Sequence, residues 1–350
     1  MRYGLVGAGK IGKLRAKAVS QLPGSSLAAV FDPNADSARG VASATGARAC
    51  GSLDELFQTP MDALIVSSPV HVHVEPCLKA FERGMHVLCE KPLTHTIESS
   101  RELVRAAARS GKVLAVGFNL RYYPAFRYMR DVIDQGRIGT LDHIRVFGGH
   151  EGLPKFVHDW EYRAPESGGG AMWDVGIHMS DLARYYIGDI TEVYGSMSGN
   201  IWRIPGSEDN AIAVFRNQQG VTASYQATWI EWKGYEIAVE AYGDRGMVSA
   251  KYGPMRNLLI THDKPGGRRN IERRFYPNIM LREKLSSWQS TALISFVDEL
   301  KDFEALTRGQ SGTRIADGLA GLRAAELAAA VRQSTSTGEA VHLPPSSSAA

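Results

Sequence analysis

The chain has 3 cysteines in 350 residues: Cys50, Cys77 and Cys89, an odd number with no Cys-x-x-Cys spacing. That excludes a disulfide framework and a cysteine-based zinc site, and makes a reducing cytoplasm the expected setting. Charge of one sign is also missing. With 40 basic and 37 acidic residues the formal net charge is +3, too small an excess to hold nucleic acid or a membrane surface. No apolar run reaches the length of a membrane span, and no charged leader with an apolar stretch precedes Tyr3–Val6. A soluble, unexported protein without a nucleic-acid or membrane partner is therefore expected. His71, His73, His150, His158 and His178 show no His-Glu-x-x-His or comparable spacing, so no catalytic metal is expected.

What is present is ordinary globular composition, 44% hydrophobic and 22% charged, with a high glycine count of 36. A single core rarely grows to fill a chain this long, which predicts two domains. Up to about residue 120, runs apolar on both faces alternate with helical stretches. Strands are expected at Tyr3–Val6, Leu27–Phe31, Ala63–Ser67, His86–Cys89 and Val113–Val116, and helices at Ile11–Gln21, Ala35–Ala44, His73–Arg83 and Ile97–Arg109. This order predicts an α/β Rossmann domain, a doubly wound parallel sheet, over residues 1–120.

Beyond Pro124 one helix, Ala125–Gln135, precedes alternating runs at Ile144–Gly149, Glu192–Ser198, Ala211–Phe215, Val221–Trp229, Glu236–Tyr242 and Leu258–Thr261. Alternation of that kind predicts an α+β second domain over residues 121–333 with a large, mainly antiparallel open sheet. Helices at Trp288–Leu306 and Arg314–Gln333 follow, and the last could pack back on the first domain. The Ser- and Pro-rich residues 334–350 read as a disordered tail. A cluster of Arg268, Arg269, Arg273 and Arg274 reads as a solvated loop or hairpin face.

Gly7-Ala8-Gly9-Lys10-Ile11-Gly12 follows the first strand and opens the first helix, the context that turns a common glycine spacing into a dinucleotide fingerprint. Gly7 permits a tight turn, Gly9 lets the backbone approach a pyrophosphate, and Gly12 lets helix and strand touch. Asp32 ends the second strand twenty positions after Gly12, where a carboxylate accepts from ribose hydroxyls and repels a 2′-phosphate. Pro33 follows instead of an Arg or Ser, which favours NAD over NADP.

Glu90-Lys91-Pro92 closes another strand, and Asp174-Val175-Gly176-Ile177-His178 follows the glycine-rich run Gly168–Gly170. Lysine at a strand's carboxyl end stands where open α/β sheets bind ligands. If a helix starts at or before Asp174, the four-residue spacing puts Asp174 and His178 on one face. These motifs resemble those of the glucose-fructose oxidoreductase, inositol dehydrogenase and rhizopine-catabolism (Gfo/Idh/MocA) oxidoreductases. Ser67-Ser68-Pro69-Val70-His71-Val72-His73 is similar to the family's TPNxxH loop, with Val70 where an Asn is usual, and Gly117-Phe118-Asn119 with Arg121 is similar to its GFxxR segment.

The resemblance implies an NAD-dependent enzyme that moves a hydride between nicotinamide and a ring hydroxyl or ketone of a sugar, sugar derivative or cyclitol. It assigns catalysis to Lys91, Asp174 and His178. Neutral imidazole suits His178 as general base, Lys91 can stabilise a developing alkoxide, and Asp174 would hold a neighbouring hydroxyl or orient His178. Cofactor contacts are expected from Gly7, Ala8, Gly9, Lys10, Ile11, Gly12, Asp32, Ser67, Ser68, Pro69, His73, Glu90, Lys91 and Asn119. Substrate contacts are expected from Lys91, Arg121, Trp160, Arg163, Asp174 and His178. A homodimer or homotetramer is implied, because an open sheet with an apolar outer face needs covering. Two alternatives share the fold: an NAD-dependent glycoside hydrolase using transient oxidation, and a dinucleotide-binding regulator without catalysis.

Overall fold

A computed structural model describes residues 1–156 and 158–345. The chain divides into two compact units, Met1–Tyr122 with Arg282–Leu322, and Tyr123–Leu281 with Arg323–Ala350.

The first unit alternates β1 (Arg2–Val6), α1 (Lys10–Val19), β2 (Ser26–Phe31), α2 (Ala35–Thr45), β3 (Arg48–Cys50), α3 (Leu53–Leu56), β4 (Ala63–Val66), α4 (Val74–Glu82), β5 (His86–Cys89), α5 (Ile97–Ser110) and β6 (Leu114–Val116). β1 to β6 pair in parallel in the order 6-5-4-1-2-3, a doubly wound sheet. Its order reverses between β1 and β4, and the chain leaving β1 there is the glycine turn. Ligands of such sheets bind at this switch point.

The second unit holds α6 (Pro124–Asp134), β7 (Leu141–Gly149), α7 (Ala164–Ser167), α8 (Ala171–Asp174), α9 (Gly176–Ile187), β8 (Ile190–Ser198), β9 (Asn210–Asn217), β10 (Thr222–Thr228), β11 (Glu236–Gly243), β12 (Gly246–Tyr252), β13 (Arg256–His262) and β14 (Arg269–Phe275). Its nine-stranded sheet is antiparallel except for β7 and β10, which run in parallel side by side. α9 and α6 cover one face, where Ile144, Val146, Ala213, Phe215, Ala223 and Tyr225 are buried. β14 is the edge strand, and its exposed arginines oppose pairing with another edge. The arginine cluster of the sequence thus lies on a hairpin face: Arg274 covers the Tyr128 ring, and Glu272 beside it pairs with Arg137.

Two expectations about the chain's last third are corrected. Residues 282–322 join the first unit and not a continuous 121–333 domain. They begin within α10 (Pro277–Ser286) and include α11 (Gln289–Thr307), whose Ala292, Phe296, Leu300 and Phe303 share one core with Tyr3, Leu14, Ala18 and Val19. That stripe recurs at helical spacing, so α11 buries it where α1 offers a matching face. β15 (Ala316–Asp317) then pairs antiparallel with β6, delaying the start of α12 (Gly318–Thr337) beyond the expected Arg314.

The expected disorder from Ser334 is also overturned. α12 continues to Thr337, and β16 (Val341–His342) pairs with β8. Ser334 is buried, accepts from the Gly195 amide at 3.0 Å and donates to the Glu339 carbonyl at 2.7 Å. Thr335 and Thr337 donate back to the carbonyls of Val331 and Gln333. Hydroxyl-rich composition suggested a solvated chain, but here those hydroxyls are satisfied by backbone groups of the helix, of β8 and of Glu339. Residues 346–350 lie outside the described part. Among the described residues, no helix is long and apolar enough to cross a membrane.

Candidate active site

In the first unit the glycine turn is built by exclusion of side chains. Gly7 has φ +91°, and a Cβ there would stand 2.5 Å from the Ser68 nitrogen; a Cβ on Gly12 would overlap the Gly7 carbonyl oxygen. Both positions therefore demand glycine. At Gly9 nothing lies within 4 Å of where a Cβ would be, so this side of the turn is open to a ligand. α1 has no acidic residue in its first turn, leaving the partial positive charge of its N-terminus unopposed. Lys10, at its start, lies over the Trp288 ring at 4.8 Å.

Asp32 holds this turn. Its carboxylate accepts from the Ala8 amide at 2.6 Å and the Asn34 amide at 2.8 Å. Ala8 is thus engaged by Asp32, whose remaining lone pairs can still accept ribose hydroxyls. Across the turn the hydroxyls of Ser67 and Ser68 are buried without a protein partner, and buried polar atoms of that kind call for a ligand or water. An open glycine backbone, a helix N-terminus, a strand-end carboxylate and two orphaned hydroxyls fit a dinucleotide.

Other expected residues take different places. His73 is buried, and its ring nitrogens lie 2.9 Å from the Ser68 carbonyl and 3.0 Å from the Leu93 carbonyl. Burial holds its pKa below the usual imidazole range. Its side chain therefore ties the Ser67–His73 loop to the segment after Glu90-Lys91-Pro92. Asn119 donates to Ser295 at 3.0 Å, and Arg121, buried, donates to the Arg314 carbonyl at 3.1 Å. Both are hydrogen-bonded within the first unit.

Behind Lys91 lies a charge cluster that spacing did not reveal. Arg15, fully buried in α1, donates to Glu90 at 2.6 Å and to Glu299 of α11 at 2.5 Å. Its guanidinium covers the Phe296 ring at 3.8 Å. Glu299 is buried too, and desolvation pushes its carboxyl up to about 7 despite Arg15. Glu90, which immediately precedes Lys91, is thus anchored by Arg15 of α1, which Glu299 of α11 holds in turn. The available signal was a charged residue within each helix's apolar stripe: Arg15 beside Leu14 and Ala18, and Glu299 between Phe296 and Phe303.

In the second unit the Asp174–His178 segment is not one uninterrupted helix. α8 ends at Asp174 and α9 starts at Gly176. Val175 keeps right-handed helical backbone angles, φ −77° and ψ −33°, so the one-turn relation of Asp174 to buried His178 survives. The break coincides with close packing, since a Cβ on Gly176 would strike the Tyr225 hydroxyl. The run before it serves the same segment: Gly168 has φ +90°, and Gly170 is backed directly by Glu208. The Glu208 carboxylate, raised in pKa by burial, accepts from the Gly170 amide at 3.2 Å and the Met172 amide at 2.8 Å.

Asp174 itself is held by two residues missed by spacing. One carboxylate oxygen accepts from His150 Nε2 at 2.7 Å and from Trp229 Nε1 at 3.1 Å. The Gly152 amide donates to His150 Nδ1 at 3.0 Å, which fixes the tautomer with its proton on Nε2, toward Asp174. His150 follows β7 and Trp229 follows β10, parallel neighbours paired Gly149 with Thr228. Each was visible as a residue ending an alternating strand, but not that the two strands end together. Phe156 packs edge-on against Trp229 at 4.9 Å and His150 at 6.0 Å. Trp160 lies on a short 3-10 turn at Asp159–Tyr162, and the Arg163 side chain is exposed, pairing with Glu166 at 3.0 Å.

A doubly wound sheet with an open glycine turn at its switch point, in a chain with a second large sheet, defines a two-unit dinucleotide-binding oxidoreductase. The chain belongs to the Gfo/Idh/MocA oxidoreductase family: residues 1–118 match the model described as oxidoreductase family, NAD-binding Rossmann fold, and residues 126–249 match the GFO/IDH/MocA C-terminal domain. It is 34% identical over 249 residues to the 1,5-anhydro-D-fructose reductase of Ensifer adhaerens, covering 70% of this chain and 74% of that one. To the scyllo-inositol 2-dehydrogenase (NAD(+)) of Bacillus subtilis (strain 168) it is 30% identical over 272 residues, covering 75% and 76%. A levoglucosan dehydrogenase solved with NADH and levoglucosan superposes with a TM-score of 0.85 at 24% identity, over 98% of this chain and 99% of that one. That likeness concerns the fold.

Proposed function

We propose that this protein is an NAD-dependent dehydrogenase that transfers a hydride between nicotinamide and a ring hydroxyl or ketone of a sugar, sugar derivative or cyclitol. The observation that carries the reading is Asp174, a carboxylate fixed by His150 and Trp229 one helical turn before buried His178. A hydroxylated ring needs such a preorganised acceptor to hold one hydroxyl while its neighbour reacts. The relatives named for anhydrofructose and inositol chemistry point to the same substrate class.

In this reading Gly7, Gly9, Gly12 and the start of α1 hold the pyrophosphate. Asp32 accepts from the adenosine ribose, and Ser67 and Ser68 bond to the cofactor through their orphaned hydroxyls. Asp32 favours NAD over NADP because its charge opposes a 2′-phosphate. The bound nicotinamide supplies hydride acceptance and donation. His178 takes the hydroxyl proton during oxidation and returns it during reduction. Lys91 hydrogen-bonds the reacting oxygen and stabilises its developing negative charge, with Glu90 anchoring the segment. Asp174 binds a neighbouring hydroxyl.

The outer face of the nine-stranded sheet supports a homodimer or homotetramer. Tyr194 pairs directly with Val214, and Ile212 follows two positions away on the same face; all three are exposed.

The test is NADH and NADPH production, followed at the nicotinamide absorbance, with inositols, free hexoses, glycosides, sugar phosphates and nucleotide sugars. Production from one class, abolished by Lys91→Ala, supports the proposal. Cleavage of an aryl glycoside only when NAD is present, without net NADH, would replace it with the hydrolase reading. Retained NADH binding without turnover of any class would favour a regulator.

A further inference from the structure

We propose that the second unit carries a further carbohydrate subsite, an aromatic platform of Trp232 and Trp202 that holds a sugar ring joined to the reacting one. The substrate is then a glycoside or oligosaccharide. This rests on the dehydrogenase reading and narrows its substrate class.

The topology gathers the relevant loops. Gly149 at the end of β7 pairs with Thr228 at the end of β10 and with Glu236 at the start of β11, while Asn210 at the start of β9 pairs with Thr228 and with Ser198 at the end of β8. The segments after residues 149, 198 and 228 therefore leave one end of the sheet, where His150 and Trp229 hold Asp174. Trp202, Trp229 and Trp232 all lie on these segments; the turns at the opposite end, residues 218–221 and 244–245, carry no tryptophan.

The three indoles form a chain outward from the candidate catalytic carboxylate. Trp229, buried, donates to Asp174 at 3.1 Å; Trp202 donates through Nε1 to the Trp229 carbonyl at 3.0 Å. The Trp232 ring lies 5.9 Å from Trp202 at 60° and is 63% exposed, and neighbouring Ile201 is 54% exposed. The loop is held firmly despite this exposure. Asp209, buried, accepts from the Ile201 amide at 2.7 Å and the Trp202 amide at 3.1 Å, and its carbonyl accepts from the Trp229 amide at 2.7 Å. Arg203 is kept at φ +54°, in the left-handed region that non-glycine residues seldom adopt.

A buried carboxylate and a strained backbone spent on displaying an indole and an isoleucine to water indicate a binding surface. Its chemistry suits a sugar. The C–H face of a pyranose is apolar and faintly positive, which matches the negative π face of an indole. One residue, Trp229, separates the platform from Asp174, so two adjoining rings of one ligand would engage both.

The experiment uses the full chain with NADH bound and measures binding by calorimetry, so turnover is not required. Cellobiose, maltose and p-nitrophenyl glucosides are compared with glucose and myo-inositol. At least one two-ring ligand should bind about tenfold more tightly than its one-ring counterpart. Trp232→Ala should weaken that ligand about five- to tenfold, leave the one-ring ligand unchanged, and be largely restored by Trp232→Phe. Equal binding of one- and two-ring ligands, or equal weakening of both, overturns the subsite. So does a fall in solution molar mass of Trp232→Ala, which would assign the indole to a contact between copies. Trp232-dependent binding of ligands that never yield NADH would defeat the dehydrogenase reading alone; turnover of free monosaccharides with no gain from a second ring would defeat the subsite alone.

Discussion

The two units prepare their candidate sites by opposite means. The first works by subtraction: Gly7 and Gly12 let backbone pack closely at the switch point, Gly9 leaves one side open, and in the proposed site backbone amides hold the cofactor. The second works by addition, holding Asp174 with His150 and Trp229, which Phe156 packs against, and fixing the preceding segment with Glu208. A main-chain site depends on a spacing of glycines within one segment, whereas a side-chain site depends on which distant strands end together. The first tolerates no bulk and the second no loss of a partner.

The largest effect should follow from violating the subtraction. Gly12→Val places atoms on the Gly7 carbonyl oxygen, and no small movement relieves a clash between backbone and β-branch. NADH affinity, measured by its fluorescence on binding, should fall more than about a hundredfold. An unchanged affinity would mean that the turn is not the pyrophosphate site. Next in size is Asp174→Asn. The amide keeps the volume but removes the charge, so turnover should fall about 10²- to 10⁴-fold. NADH affinity should stay within about twofold, because the variant leaves the first unit untouched. Equal losses in both quantities would erase the contrast between the units.

How much of this was legible follows the same division. Parallel strands, apolar on both faces, and the glycine turn stand in consecutive residues, so Tyr3–Val6, Gly7–Gly12 and Asp32 could be placed from the sequence. The lysine of Glu90-Lys91-Pro92 and the Asp174/His178 pair were recognised through family resemblance, and they remain proposals in their roles. Arg15, Glu299, His150 and Trp229 were not found. Each acts through a partner 24 or more positions away: Arg15 and Glu299 are 284 apart, and His150 and Asp174 are 24 apart. Side-chain pairs at such separations leave no periodic trace. His73 shows the converse case: a polar residue expected as a ligand contact also has a structural place, its ring nitrogens lying against two backbone carbonyls.

The first unit also contains the one cluster that resembles the second unit's strategy. Arg15→Met would strand Glu90 and Glu299 without their counter-charge inside the unit, and breaking a buried pair in this way costs about 3–5 kcal/mol. A thermal midpoint lowered by several degrees, with NADH added to report on the same unit, is the expected outcome. A midpoint equal to wild type would show that burial is relieved by water or by protonation.

The smallest effect is a pH dependence that decides between those two forms of relief. Glu299 has its carboxyl raised from the ordinary 4.5 to about 7 by burial. The folded state therefore binds its proton more tightly than the unfolded state does. This contribution to stability is fully present below pH 4.5, is lost as pH rises toward about 7, and stays constant above that. The facing charges are Arg15 from α1, Glu90 after β5 and Arg121, so the titration belongs to the cluster and not to Glu299 in isolation. Glu299→Gln keeps the shape and cannot ionise. The thermal midpoint of wild type minus that of Glu299→Gln should fall between pH 4.5 and 7 and then level. A difference that instead stayed level from pH 4.5 to 7 would mean that Arg15 outweighs desolvation and holds both carboxylates ionised. The anchor behind Lys91 would then be a fixed ion triad, as insensitive to pH as the bare backbone of the glycine turn.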